Sequence, residues 1–235
     1  MTYDNRPREL GVTYVTGGSS GLGAALVDAV AKAGGVPAVI DRVPPPDPST
    51  PHTVVDLADS QAAAAAVSEL VSTVGPPQAL VTAAGTDACG PLDQVSVADW
   101  ENVVRVNLLG TVSVVRACLP HLVAVHGTVV TVASTLGLRP AGDATAYCAS
   151  KFGVVGFTRA LAMELAGRVG VTLLVPGGMR TRFFDGRTEQ YRPGPDADLS
   201  DPADVANAVI TALCSPRGVE LRELVVATST EPSWP

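Results

Sequence analysis

The sequence predicts an α/β fold, a Rossmann-type doubly wound parallel sheet of seven strands with helices on both faces. Three observations carry that prediction. A glycine-rich turn, Thr16-Gly-Gly-Ser-Ser-Gly-Leu-Gly23, joins a short apolar run to an amphipathic helical pattern. Further short apolar runs alternate with helical stretches along the chain, the order that builds a parallel sheet with crossover helices. No repeat or composition break divides the 235 residues, so residues 1–235 are expected to form a single domain, with a polar extension at 1–10 and a substrate loop at 182–200.

Val12 to Val15 reads as the first strand. Leu22, Ala25, Leu26, Ala29, Val30 and Ala33 then recur at helical spacing until Gly34-Gly35 ends the helix. Gly17, Gly21 and Gly23 remove side chains where the backbone must turn tightly and approach a ligand. With Ser19, Ser20 and Leu22 they form a turn whose helix start offers free N–H donors and the positive end of a dipole, a cradle for pyrophosphate. Val36 to Ile40 is the second strand and ends in Asp41-Arg42. A carboxylate about 20 residues past the glycine turn accepts hydrogen bonds from the adenosine ribose and repels a 2′-phosphate. Asp41 therefore favours NAD, whereas Arg42 would pair with that phosphate and keeps NADP as the alternative.

Val43 to Pro51 contains five prolines and is expected to be irregular. Thr53 to Asp56 reads as the third strand, and Asp59 or Ser60 caps a helix with Ala63, Ala66, Val67, Leu70, Val71 and Val74 on its apolar stripe. Asp56, followed by Leu57, contacts an adenine amino group or caps its own turn. Ala79 to Thr82 is the fourth strand, and Ala83-Ala84-Gly85 after it permits close backbone approach to something flat.

The helical stretch from Val97 to Leu122 places Asn107 on an otherwise apolar stripe. A buried amide without partners costs about 1 to 3 kcal/mol, so Asn107 either bridges polar groups structurally or holds a water for catalysis. Thr128 to Val132 is the fifth strand and runs into Ser134. Tyr147 begins the next helix, which runs to about Ala166, and Lys151 stands four residues on, hence on the same face. Val171 to Val175 is the sixth strand, followed by Pro176-Gly177-Gly178-Met179-Arg180-Thr181; Asp201-Pro202 opens a last helix to Leu213, and Leu224 to Ala227 is the seventh strand.

Composition narrows the function. A formal net charge of −7 and only two lysines, Lys32 and Lys151, argue against nucleic acid as a partner. The four cysteines are scattered, with no Cys-x-x-Cys pair and no cluster with histidine that completes a metal site, so no metal site is expected and a reduced, cytoplasmic setting fits. The first ten residues carry both charge signs, unlike a signal peptide, and no apolar run is expected to reach membrane-spanning length.

The glycine turn, Asp56-Leu57, Asn107 in Val-Asn-Leu-Leu-Gly, Ser134 placed 13 residues before Tyr147, Tyr147-x-x-x-Lys151 and Pro176-Gly-Gly-Met-Arg-Thr181 together resemble the short-chain dehydrogenase/reductase family, from Val12 to about Ala227. The resemblance implies an enzyme in which Tyr147 exchanges the alcohol proton and Lys151 holds the nicotinamide ribose and supplies positive charge. It further implies that Ser134 binds the substrate oxygen and that Asn107 fixes a water linking Lys151 to solvent. The cofactor would meet Gly17, Ser19, Ser20, Gly21, Leu22, Gly23, Asp41, Arg42, Asp56, Leu57, Ala83, Ala84, Gly85, Tyr147, Lys151, Pro176, Gly177, Met179 and Thr181. The chemistry demands such neighbours: lowering a tyrosine pKa by about three units needs roughly 4 kcal/mol of preferential phenolate stabilisation.

Two departures stand out. Thr82-Ala-Ala-Gly85 replaces the family's Asn-Asn-Ala-Gly and loses amide hydrogen bonds, and the proline-rich loop replaces a helix after the second strand. Thr86, Asp87, Thr135, Leu136, Cys148, Phe183 and Phe184 are expected to line a pocket for a moderately apolar secondary alcohol or ketone. The arginines at 180, 182, 187 and 192 form a basic patch that either meets a carboxylate or a thioester carrier or, as the favoured reading, is a solvated loop face, in a loop expected to order over a ligand. Three functions follow: an NAD-dependent dehydrogenase, an NADPH-dependent ketoreductase on a carrier-bound acyl chain, or a non-catalytic dinucleotide sensor. The resemblance also implies a homodimer or homotetramer. Trp234 would be buried in such a contact or sit in a loose tail.

Overall fold

The computed structural model describes residues 7–234. Seven strands form one sheet: β1 (Val12–Thr16), β2 (Val36–Asp41), β3 (His52–Val54), β4 (Ala79–Thr82), β5 (Thr128–Val132), β6 (Gly170–Pro176) and β7 (Glu223–Val226). Their order is β3-β2-β1-β4-β5-β6-β7, and every pairing is parallel. The connections carry helices α1 (Gly21–Lys32), α2 (Ser60–Thr73), α3 (Val97–Val104), α4 (Thr111–Val125), α5 (Thr145–Glu164) and α6 (Pro202–Leu213).

Successive strand residues face opposite sides, and both sides are covered, so β4, β5 and β6 are buried along their whole length. On one side Tyr14, Ile40, Leu80, Val129 and Val171 pack against Val67 and Leu70 of α2, Val114 and Leu122 of α4 and Leu161 of α5. On the other, Val15, Val39, Val81, Val130 and Leu174 pack against Leu26 and Val30 of α1 and Val205, Val209 and Leu213 of α6. Strand order reverses at β1, which lies between β2 and β4. The crevice beyond the carboxyl ends there is where such sheets bind ligands.

Helix starts follow the sequence signals. Asp59 accepts from Gln61 N and Ala62 N, Ser96 from Asp99 N and Asp201 from Ala203 N, each satisfying free donors of a first turn. The segment between β2 and β3 contains no helix, as its prolines require. Of the expected extension at 1–10, residues 1–6 lie outside the described residues. Arg8 docks beneath the sheet, donating through Nη1 to His126 O and Thr128 Oγ1 at 3.1 Å each, and Leu10 is buried.

Three expectations need correction. The third strand ends at Val54, and Asp56 lies past it, its Oδ1 accepting from Ala58 N at 2.9 Å to cap the Leu57 turn. α5 begins two residues before Tyr147, at Thr145. Finally, Val97–Val125 forms a continuous helical run of 29 residues in which an 18-residue window reaches a mean hydropathy of 1.7, long and apolar enough to cross a membrane. In the fold its Val103, Val114, Val115, Cys118 and Leu122 are buried, and α4 packs against α2 and the sheet.

Candidate active site

The glycine turn leaves the end of β1 and enters α1. Gly17 and Gly21 have φ of 71° and 51°, the left-handed region that a side chain disfavours. A Cβ on Gly23 would overlap the Gly17 carbonyl, and one on Gly17 would stand 2.7 Å from Ala84 Cα. The turn is thus pressed against the small residues after β4. Ser20 opens α1 without capping it by its side chain. The first N–H groups of that helix therefore keep the anion-binding character of a free N-terminus.

At the end of β2, Asp41 Oδ2 accepts from Ser19 N at 3.0 Å and Oδ1 from Val43 N at 3.3 Å, while Ser19 Oγ donates to Val43 O at 2.7 Å. The carboxylate is locked to the glycine turn on the wall of the crevice, and Arg42 stands exposed beside it.

The crevice is a cleft of about 1240 Å³. Every residue expected to meet the cofactor lines it, from Gly17 to Thr181, and so do Ser134, Tyr147 and Lys151. Of the expected pocket residues, Thr86, Asp87, Thr135, Leu136, Phe183 and Phe184 line it. Cys148 does not: it is buried on another face of α5, with Sγ 3.9 Å from Ala141 O, because one residue past Tyr147 on a helix points about 100° away.

Ser134 follows β5 in extended conformation, and its Oγ accepts from Leu136 N at 3.1 Å. That bond fixes the oxygen and leaves its proton to donate. On α5, Lys151 Nζ lies 5.6 Å from the centre of the Tyr147 ring and donates to Val132 O at 2.9 Å. Burial pushes the Lys151 ammonium down to about 8, opposed by the Asp87 carboxylate. Burial pushes the Tyr147 phenol up to about 12; the Ser134 hydroxyl beside it pulls it down, Asp87 up and Arg187 down. Both shifts reflect the cost of charge out of water.

Asn107 lies in a π-helical turn, Arg105–Gly110, between α3 and α4, a local widening frequent at functional sites. Its Nδ2 donates to Thr86 O at 2.9 Å and Ser150 Oγ at 3.0 Å, and its Oδ1 accepts from Thr86 N at 2.8 Å. The amide sits behind the cleft wall and pins the loop after β4 to α5. A Cβ built on Gly85 would stand 3.6 Å from Asn107 Oδ1 and 3.7 Å from Lys151 Nζ, so both atoms border the same small gap.

The sequence matches the short chain dehydrogenase family over residues 11–192. The chain belongs to the short-chain dehydrogenase family. It is 34% identical over 218 residues to the (2S)-[(R)-hydroxy(phenyl)methyl]succinyl-CoA dehydrogenase subunit BbsD of Thauera aromatica, covering 85% of this chain and 87% of that one. It is 30% identical over 216 residues to a mouse (Mus musculus) 3-oxoacyl-[acyl-carrier-protein] reductase, covering 87% and 92%. Among solved structures, the 3-ketoacyl-(acyl-carrier-protein) reductase of Brucella melitensis complexed with NADH superposes with a TM-score of 0.83 at 27% identity, over 93% and 97% of the two chains. This dehydrogenase is thus an oxidoreductase acting on CH–OH groups. Its cradle fits a nicotinamide dinucleotide: glycines where a Cβ would collide, a helix start without a side-chain cap, and a carboxylate at the end of β2 on the same wall.

Two groups in this dehydrogenase's cleft escaped the sequence reading of their roles. Arg187, read as part of a solvated face, is partly buried. Its Nη2 bonds Asp87 Oδ2 at 2.6 Å, and its guanidinium carbon lies 4.6 Å from the Phe184 ring centre and 5.2 Å from that of Phe183. Arg192 and Arg180 donate to loop carbonyls. The loop expected to wait for a ligand is therefore already folded, with 3-10 turns at Arg182–Phe184 and Glu189–Tyr191. The other is Glu231, buried after β7 in a segment whose sequence has no periodicity to mark it. Trp234 in that segment is 37% exposed.

Proposed function

We propose that this chain is an NAD(H)-dependent oxidoreductase that transfers hydride between a secondary alcohol, or its ketone, and the nicotinamide, with Tyr147 as general acid and base. The observation that carries this reading is the convergence of Ser134, Tyr147 and Lys151 on one cleft wall, with the glycine cradle lining the same cleft. When bound, the nicotinamide supplies the hydride chemistry. Ser134 donates its free proton to the substrate oxygen, and Tyr147 takes the alcohol proton in oxidation or returns it in reduction. Lys151 holds the nicotinamide ribose, and while it is protonated its charge favours the Tyr147 phenolate. Asn107 fixes the loop after β4, and the gap it shares with Lys151 is the place for a water that passes protons outward.

Asp41 supports NAD over NADP, since a second negative charge beside it is repelled. An NADPH-dependent ketoreductase acting on a carrier-bound acyl chain is the second reading, favoured by the exposed Arg42 and by the carrier-protein reductases among the relatives. Leu109, Phe152 and Met163 stand 46%, 43% and 80% exposed on the π turn and α5, an apolar face that supports pairing as a homodimer or homotetramer. Four free thiols among the described residues support a reduced, cytoplasmic setting.

The test is parallel titration with NADH and NADPH, read by transfer of tryptophan excitation to the nicotinamide, on the parent and on Tyr147→Phe. Tighter NADH binding retained in an inactive Tyr147→Phe is expected. Preference for NADPH would promote the second reading, and turnover surviving in Tyr147→Phe would remove that residue from the mechanism.

A further inference from the structure

The segment after β7 folds back over the carboxyl ends of β5 and β6. Thr228 Oγ1 donates to Asp198 O at 3.3 Å and Thr230 Oγ1 to Asp198 Oδ2 at 2.6 Å, fastening it to the end of the substrate loop. Glu231 then turns inward and is 9% exposed on the cleft wall. Its Oε2 accepts from Gly178 N at 2.8 Å, and its Oε1 accepts from Ser233 N at 3.1 Å. Ser233 Oγ lies 2.5 Å from Glu231 Oε1 and 2.7 Å from Thr135 Oγ1. A serine hydroxyl has one proton and a carboxylate only accepts, so Ser233 gives its proton to Glu231 and takes one from Thr135.

This chain of bonds joins two turns that flank the reacting centre. One is Pro176-Gly177-Gly178, which leads into Met179 and Thr181 on the cofactor side. The other begins at Ser134, next to Thr135. A Cβ on Gly177 would overlap Glu231 Oε2, so the glycine at 177 leaves room for this carboxylate. Charge suits the position because three donors converge on the two oxygens. Burial pushes the Glu231 carboxyl up, but the Ser233 hydroxyl and the Gly178 and Ser233 N–H groups hold it below its ordinary value.

We propose that Glu231 is a positioning residue of the active site: through Gly178 and, by way of Ser233, Thr135, its carboxylate fixes where the nicotinamide end of the cofactor and the substrate oxygen meet. The proposal rests on the NAD(H) reading above.

NADH and ADP-ribose separate a local role from a general one, because they share the adenosine and pyrophosphate and differ at the nicotinamide. Both are titrated into the full-length parent, Glu231→Gln, Glu231→Ala and Ser233→Ala, with thermal melting alongside. Glu231→Ala and Glu231→Gln are expected to weaken NADH about 10-fold and leave ADP-ribose within twofold, with Ser233→Ala intermediate. Equal loss for both ligands would make Glu231 a packing residue and overturn the proposal, as would no loss for either. Glu231→Gln keeps the shape and decides the matter if Glu231→Ala does not fold. If the parent binds ADP-ribose but gains nothing from the nicotinamide, the NAD(H) reading itself falls and the proposal with it. A parent that binds NADH beside variants indistinguishable from it overturns the proposal alone.

Discussion

Arg187 Nη2 stands 2.6 Å from Asp87 Oδ2, joining the loop after β6 to the loop after β4 across the cleft. The two side chains are 18% and 6% exposed. The link continues inward, since Arg187 lies over Phe183 and Phe183 packs against Tyr147 with ring centres 5.7 Å apart. The loop after β6 is thus tied both to the opposite wall and to the proposed acid–base residue.

Removing one partner of a largely desolvated pair leaves the other charge uncompensated, at a cost of about 3 to 5 kcal/mol when burial is complete. Arg187→Ala and Asp87→Ala should each loosen the loop, seen as faster proteolysis between residues 182 and 192. The double variant should recover part of the loss, with a coupling of about 1 to 3 kcal/mol in a double-mutant cycle of urea unfolding. Additive single effects would show that the pair does not hold the loop.

The strand and helix order, the glycine cradle and the catalytic candidates were legible because each has a local signature: a period, a glycine triplet, a fixed spacing on one helix face. Arg187 and Glu231 have none. Arg187 is one of several arginines in a loop, and its burial depends on Asp87, 100 residues away. Glu231 acquires its role only when the segment after β7 meets Gly178, 53 residues earlier. Cys148 failed in the opposite sense, because proximity to Tyr147 in sequence was taken as proximity in the cleft.

Tyr147 without cofactor should ionise well above an ordinary tyrosine, near pH 12. Nearby positive charge favours the phenolate, so NAD+ should lower that value, whereas NADH, lacking the ring charge, should lower it less. The check is the difference in phenolate absorbance between the parent and Tyr147→Phe across pH 8 to 12, with each ligand. Equal titration with NAD+ and NADH would show that ring charge does not reach the phenol.

Thr82 stands where the family carries an asparagine, in the centre of the sheet, and its Oγ1 is buried without a hydrogen-bond partner. The neighbouring Thr16 Oγ1 accepts from Ala84 N instead, at 3.1 Å. A buried, unpaired hydroxyl costs about 1 to 3 kcal/mol, and valine has the same shape without it. Thr82→Val should therefore raise stability by about 1 kcal/mol, a gain of roughly 2 to 4 °C in Tm for a chain of this size. A lower Tm would mean that the hydroxyl is satisfied in solution.

Lys151 sets a cost of function against stability. Its side chain is 4% exposed, and burial holds its pKa at about 8, below the ordinary 10.5. Below pH 8 both folded and unfolded chains carry the proton, and the folded one keeps a charge out of water. Between about pH 8 and 10.5 the unfolded chain binds more protons than the folded one, so stability rises with pH, by roughly 3 kcal/mol over the window. Lys151→Met removes that burden at pH 7 but also strips Val132 O of its donor, worth about 1 to 3 kcal/mol. The variant should be inactive yet no less stable than the parent at pH 7, and should lose ground to it steadily up to pH 10. Urea unfolding of the pair at pH 7 and pH 10 measures this directly, other titrating groups cancelling in the difference. A gap independent of pH would mean that Lys151 keeps an ordinary pKa, and that the charge beside Tyr147 is better solvated than its burial implies.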